Sequence, residues 1–139
     1  MEPGTPVNLR SLGYDAYSDE VRRVSMDKAR DVDRATLSAK VLFLTESESA
    51  RRPGFVMYLP IYRNGALHDS VSEKRASLAG WVFLRLDSEQ LIDSAFAHKP
   101  LDIDIQVFDG NETKQEALLF SRTSAIKGGE NDERRHWIK

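Results

Sequence analysis

Pro53-Gly54-Phe55-Val56-Met57-Tyr58-Leu59-Pro60-Ile61-Tyr62-Arg63 constrains the fold of this chain more than any other stretch. Phe55 to Tyr62 has the apolar and aromatic content of a strand. Pro60 has no N–H to give to a ladder, so that end of the strand lies at an edge or a bulge. Asn64-Gly65 then ends it with residues that accept positive φ.

The flanking segments supply the partners. Ser18 can cap a helix, with Asp19 and Glu20 in its positive first turn. Val21, Val24, Ala29 and Val32 recur near helical spacing, so one stripe of residues 18–33 is expected on a core, with Arg22, Arg23, Lys28 and Arg30 on the wet side. Ala35 to Thr45 reads as a strand ending in Val41-Leu42-Phe43-Leu44, and Glu46 to Arg52 is polar and turn-forming. Residues 64–77 hold few apolar anchors and read as an exposed, flexible connection. Leu78 to Leu86 follows as a strand with Val82, Leu84 and Leu86 on one face and Trp81 and Phe83 on the other, the pattern of a strand covered on both sides. Asp87 or Ser88 caps a short helix reaching Ala97, and Asp87 with Gln90 three residues on has the form of a capping box. Leu101 to Phe108 alternates apolar and polar, Asp109-Gly110-Asn111 is a turn, and Glu116 to Ser121 returns as the partner strand. His136-Trp137-Ile138 resembles the start of a further strand. The expected fold class is α+β, with antiparallel sheets and short helices.

A chain of 139 residues makes one domain or two very small ones. Its 20 basic and 22 acidic residues are intermixed and sum to −2, a balance that gives no broad positive field to hold a phosphate backbone, so nucleic acid is not expected as a partner. No window has the run of about 18 to 20 apolar residues needed to cross a bilayer. Cysteine is absent, which removes disulfides and thiol chemistry together.

Catalytic patterns are lacking as well. Asp102 and Asp104 project from one face of a strand and could form an acid/base or divalent-ion pair, but alternation with Ile103 and Ile105 fits a solvated strand face. His68, His98 and His136 are scattered, whereas zinc needs three or four convergent ligands. No nucleophile elbow, dinucleotide fingerprint or P-loop occurs, and no cofactor is implied. Arg51-Arg52 could meet an anionic ligand or lipid headgroup, but a solvated loop is the favoured reading. Asp15 has two readings. Between Tyr14 and Tyr17 it can anchor a ligand N–H group within aromatic walls, or it can make a local turn or cap with Ser18 and bind nothing.

Gly13-Tyr14-Asp15, the Pro53 to Arg63 stretch and Leu78-Ala79-Gly80-Trp81-Val82, taken in that order, resemble the CHASE domain, the extracytoplasmic sensory module of membrane-bound histidine kinases and nucleotide cyclases. The resemblance spans about residues 2 to 122. It implies tandem PAS-like subdomains, of which the first is incomplete here: residues 1–63 as the C-terminal part of the membrane-distal one, 64–77 as a connection, and 78–139 as the membrane-proximal one. In the plant cytokinin receptors of this family, the acidic residue of the Gly-Tyr-Asp segment anchors the bound adenine derivative, and Asp15 stands at that position. The resemblance further implies Leu37, Thr45, Phe55 and Leu59 as pocket residues, and Gly54, Pro60, Gly80 and Trp81 as residues that shape the fold. It also implies a periplasmic portion of an inner-membrane protein with an unknown small-molecule ligand, a homodimer in the parent receptor, and a diguanylate cyclase or histidine kinase as output. The flanking membrane helices would lie outside this sequence. The alternatives are a structural or dimerisation module pairing through exposed strand edges, and a small cytosolic enzyme using Asp102 and Asp104.

Overall fold

The computed structural model describes residues 13–44, 51–96 and 103–124. A 3-10 turn, Ala16–Ser18, leads into helix α1, Glu20–Val32, followed by β1, Thr36–Leu37, β2, Val41–Leu44, and β3, Arg51–Tyr62. Helix α2, Val71–Ser77, strand β4, Leu78–Asp87, helix α3, Ser88–Ala95, strand β5, Ile105–Phe108, a second 3-10 turn, Gln115–Ala117, and strand β6, Leu118–Arg122, complete the order. Two antiparallel sheets result. β3 is the middle of the larger, with β1 and β2 along one edge and β4 along the other, and β5 pairs with β6 in the smaller. The fold is α+β, as the residue pattern predicts.

β3 begins at Arg51, four residues before its expected start, because Arg51 to Gly54 pair with Leu44 to Val41. The Ala35 to Thr45 strand is broken in two. Thr36 pairs with Tyr58 but Val41 with Gly54, so one extra residue sits between them. Ser38 repairs the break: its N–H donates to the Val56 carbonyl at 2.8 Å, and its hydroxyl accepts the Val56 N–H at 2.9 Å. Val56 therefore faces the β1–β2 edge, and by alternation so does Pro60, beyond the last β1 partner, Tyr58. The missing donor falls where no described strand asks for one.

α1 lies on the face of β3 that carries Val56 and Tyr58, and Met26, Ala29, Val41 and Phe43 complete this core. The seat of the helix differs from the expected stripe. Val21, Val24 and Val32 are exposed, and the buried residues are Ser25, Met26 and Ala29. Small Ser25 and Ala29 let the helix approach a sheet that presents the large Tyr58 ring, which branched Val side chains would hold off. The cap also moves by one residue. Asp19, not Ser18, caps α1 by accepting the Arg22 N–H at 3.1 Å, and Ser18 belongs to the 3-10 turn. Arg22 and Arg30, expected on the wet side, are partly buried and paired with Asp19, Asp27 and Asp31.

Residues 64–77 hold more order than a flexible connection. Ser70 and Glu73 form a reciprocal capping box at the start of α2. Arg75 then docks α2 on α1, its guanidinium Nη2 and Nε donating to the two Asp31 carboxylate oxygens at 2.6 and 3.2 Å. His68 stacks on Tyr62 with centroids 4.8 Å apart. Nor does this connection separate two sheets: β4 returns along β3 from Tyr62↔Leu78 to Gly54↔Asp87, so Leu78–Asp87 shares a sheet with the strand before it. The second sheet starts only after α3, which Asp87 caps through the Gln90 N–H. Lys40 joins the sheets, its backbone N–H on the Asp109 carboxylate at 2.7 Å and its ammonium on the Glu116 carbonyl at 2.6 Å. β4 is also barer than a strand covered on both sides, with Val82, Phe83 and Leu84 each about half exposed. The Ala97 helix end, the Leu101-Asp102 strand start and His136-Trp137-Ile138 lie outside the described residues.

Gly54 is the tightest point of the sheet. A Cβ there would collide with the Leu86 carbonyl oxygen and come within 2.6 Å of the Phe43 ring. Gly54→Ala should therefore cost about 1–3 kcal/mol or more, an overpacking penalty read from the urea midpoint. An unchanged midpoint would show that β3 and β4 can spread without loss.

Candidate functional site

Three surfaces are candidates for a site, two beside α1 and one on the far face of the sheet. The first is the turn before α1. The Asp15 carboxylate accepts the Tyr17 N–H at 2.9 Å, while the Asp15 carbonyl takes the Ser18 N–H at 3.2 Å and its hydroxyl at 2.7 Å. Asp15 is thus the cap of the 3-10 turn, and its side chain remains exposed. Tyr17 turns inward: its ring stacks on Trp81 at 5.8 Å and its hydroxyl donates to Asp27 at 2.8 Å. That hydrogen bond, more than burial, raises the phenol's pKa. Tyr14 stays half exposed under the Arg22 guanidinium, 5.4 Å from the ring centroid.

The second surface is an open groove of about 360 Å³ along the flank of α1, lined by Glu20, Val21, Val24, Ser25, Lys28, Thr36, Leu37 and Ala39. Its floor is apolar because α1 carries two adjoining apolar faces, and the sheet covers only one. Val24 is 63% and Leu37 52% exposed, a degree of wetting that a settled core would not tolerate.

The third is the sheet face turned away from α1. Leu37 pairs with Met57, and Phe55 and Leu59 lie two residues to either side, so Leu37, Phe55 and Leu59 share this face. Across the ladder Phe55 meets Leu86, Met57 meets Leu84 and Leu59 meets Val82. The structure brings these three expected pocket residues together. It does not bring Asp15 to them, because its neighbours Ala16 and Tyr17 pack on the α1 side of the sheet. Leu37 alone belongs to both the groove and this face. Thr45 lies outside the described residues.

Under the N-terminal end of α1, Tyr58 is 1% exposed and its hydroxyl has no hydrogen-bond partner among the described residues. Burial raises its pKa, and the neighbouring Arg22 guanidinium opposes the shift. Sequence alternation puts Tyr58 inside but gives no sign that its hydroxyl goes unmatched.

Nothing in these surfaces is arranged for bond-breaking. No group of three or more potential metal ligands exists among the described residues. Asp104 accepts the Ser124 N–H at 2.7 Å, and its expected partner Asp102 lies outside the described residues. Arg52 faces Asp87 and Glu89 at 3.8 and 3.9 Å. No described helix is long and apolar enough to cross a membrane.

An uncovered apolar groove on an α+β unit is a surface that can receive a ligand, and comparison with known families agrees. The CHASE domain model matches residues 1–120, most of the chain, which therefore belongs to the CHASE domain family. These are extracytoplasmic sensory domains of signalling receptors, non-catalytic and built to bind small ligands. No curated protein matches the sequence.

The groove's helix is held by charge at its far end. Arg75 foremost, then Arg30, stabilises the Asp31 carboxylate and holds its pKa well below the ordinary carboxylate range. A carboxylate whose folded pKa is depressed stabilises the fold above its unfolded pKa, and that contribution disappears as pH falls from about 4 toward the folded value. The melting temperature should thus fall less between pH 5 and pH 3 in Asp31→Asn than in the parent, by roughly one carboxylate's share. Because the pair is partly exposed, added salt should shrink the difference. Parallel pH profiles for the two proteins would show that Asp31 is not held this way.

Proposed function

We propose that this chain is the ligand-sensing part of a membrane-bound bacterial signalling protein, a diguanylate cyclase or histidine kinase. The α1 groove and the Leu37 side of the sheet would receive a small molecule on the periplasmic side. The observation that carries the reading is the apolar surface left open around Leu37, on a domain whose family senses small ligands. Leu37, Phe55 and Leu59 supply apolar contact. Asp15, on the α1 side of the sheet and apart from Phe55 and Leu59, would offer its second carboxylate oxygen to the N–H group of a ligand held on that side, and Thr45, next after β2 in the sequence, would be a hydroxyl contributor.

The mechanism is allosteric. A ligand touching α1 favours one seat of that helix on the sheet, and the differential affinity for the two seats is the signal. Trp81 of β4 donates its indole N–H to the Met26 carbonyl of α1 at 3.1 Å, so the helix and β4 are linked directly. β4 runs into α3 through the Asp87 cap, and Asp93 of α3 pairs with Arg122 of β6. A helix shift thereby has a continuous route to the second sheet. In the tandem arrangement residues 1–63 would belong to the membrane-distal PAS-like subdomain and residues 78–139 to the proximal one, with β4 of the latter docked along β3 of the former, in a homodimeric parent.

A second reading, a dimerisation module without ligand, is favoured by β4. Among the described residues no strand pairs with its outer edge, and Val82 and Leu84 are about half exposed beside it. Leu37→Arg and Asp15→Asn in the intact receptor separate the two. Asn caps a helical turn nearly as well as Asp, so Asp15→Asn should keep the melting temperature while losing the response to stimulus. Leu37→Arg, at an exposed site, should do the same. Intact signalling in both variants, with a mass that drops from dimer to monomer on Leu84→Arg, would establish the second reading.

A further inference from the structure

The groove beside α1 is bracketed by two charges that stand in no ion pair among the described residues. Glu20 and Lys28 both line it, and neither has an ion-pair or hydrogen-bond partner among the described residues. On the same helix Arg22, Asp27, Arg30 and Asp31 stand in ion pairs; Arg23 stands in none among the described residues, but it lies outside the groove. Eight residues separate Glu20 from Lys28, about 12 Å along the helix at 1.5 Å per residue. The floor between them is Val21, Val24, Leu37 and Ala39, with Thr36 at its side. A cavity of about 360 Å³ lies at the small end of the range for small-molecule sites.

From this bracketing we infer that the groove takes an elongated amphoteric molecule, with a cationic end at Glu20, an apolar body across Val21, Val24 and Leu37, and an anionic end at Lys28. The inference rests on the ligand-sensing reading above and names the chemistry of its ligand. A purely apolar molecule would strip water from one or both charges without compensation, and a ligand charged at one end only would leave the other unmatched. Length is selected too, because a short amphoteric molecule cannot reach both ends at once.

Titration of the chain by calorimetry with ω-aminooctanoate, octanoate and octylamine tests this. The three probes share an apolar body and differ in which ends are charged. Exposed charge pairs contribute modestly, so ω-aminooctanoate should bind about two- to five-fold more tightly than either single-ended probe. Glu20→Gln should erase the advantage over octanoate while leaving octanoate itself unchanged, and Lys28→Gln should erase the advantage over octylamine. Exchanging the charges, Glu20→Lys with Lys28→Glu, should restore tight binding, because the molecule can enter reversed. All three changes lie on an exposed helix flank, and the melting temperature checks that each variant is folded.

Equal affinity for the three probes, no binding of any, or variants that bind as the parent does would overturn the proposal. The sensing role is judged separately. If these titrations fail while Leu37→Arg still silences the intact receptor, the ligand chemistry is wrong and the groove remains a sensor site. If Leu37→Arg has no effect on signalling, the groove reading itself falls.

Discussion

The contact of α1 with β3 is the constraint on which the rest of the structure depends. Ala29 is fully buried and Ser25 nearly so, and together they bring the helix down onto Val56 and Tyr58. Close approach fixes where everything else can stand. It places the Met26 carbonyl within reach of the Trp81 indole, and the Arg30 carbonyl within reach of the Tyr62 hydroxyl at 2.6 Å. It brings Asp31 to the side of the molecule where α2 can dock through Arg75. It also turns the second apolar face of the helix outward, which creates the groove. A helix seated on Val21 and Val24 instead would have buried the groove's floor and left no surface for a ligand.

Much of this was legible in the residues. Apolar and aromatic content gave β3 and alternation gave the two faces of β4, because a strand's period of two depends on little beyond the strand itself. Asp87 followed by Gln90 marked the start of α3 for the same local reason. Leu37, Phe55 and Leu59 were marked only by the resemblance to the CHASE domain. Helix rotation was harder. The stripe rule favours the largest apolar residues, so Val21, Val24 and Val32 outweighed Ser25 and Ala29, yet a sheet bearing a tyrosine ring accepts small residues more readily. The choice belongs to the partner surface and cannot be seen in the helix.

Residues 64–77 show a different blindness. Ser70-x-x-Glu73 is a readable capping box, but a short helix without an apolar stripe has no reason to persist until Arg75 meets Asp31, 44 residues away in sequence. Order there is made by a non-local ion pair. The break in the first strand is similar in kind, since the hydroxyl of Ser38 can stand in for a ladder acceptor only opposite Val56. As for the site, the apolar candidates came from the family resemblance, whereas Glu20 and Lys28 look like any solvated pair until the uncovered floor between them is seen.

The arrangement around Trp81 has an optical consequence. Its indole is hydrogen-bonded to a helix carbonyl on one side and stacked against Tyr17 on the other, while Tyr17 is itself tied to Asp27 in the same helix. Emission from an indole responds to both the polarity of its N–H partner and the ring beside it, so the domain carries a built-in reporter of how α1 sits. The chain contains two tryptophans, and replacing Trp137 with Phe isolates the signal. Helix displacement could then be followed in real time, with no dye attached, in the surroundings where the receptor works.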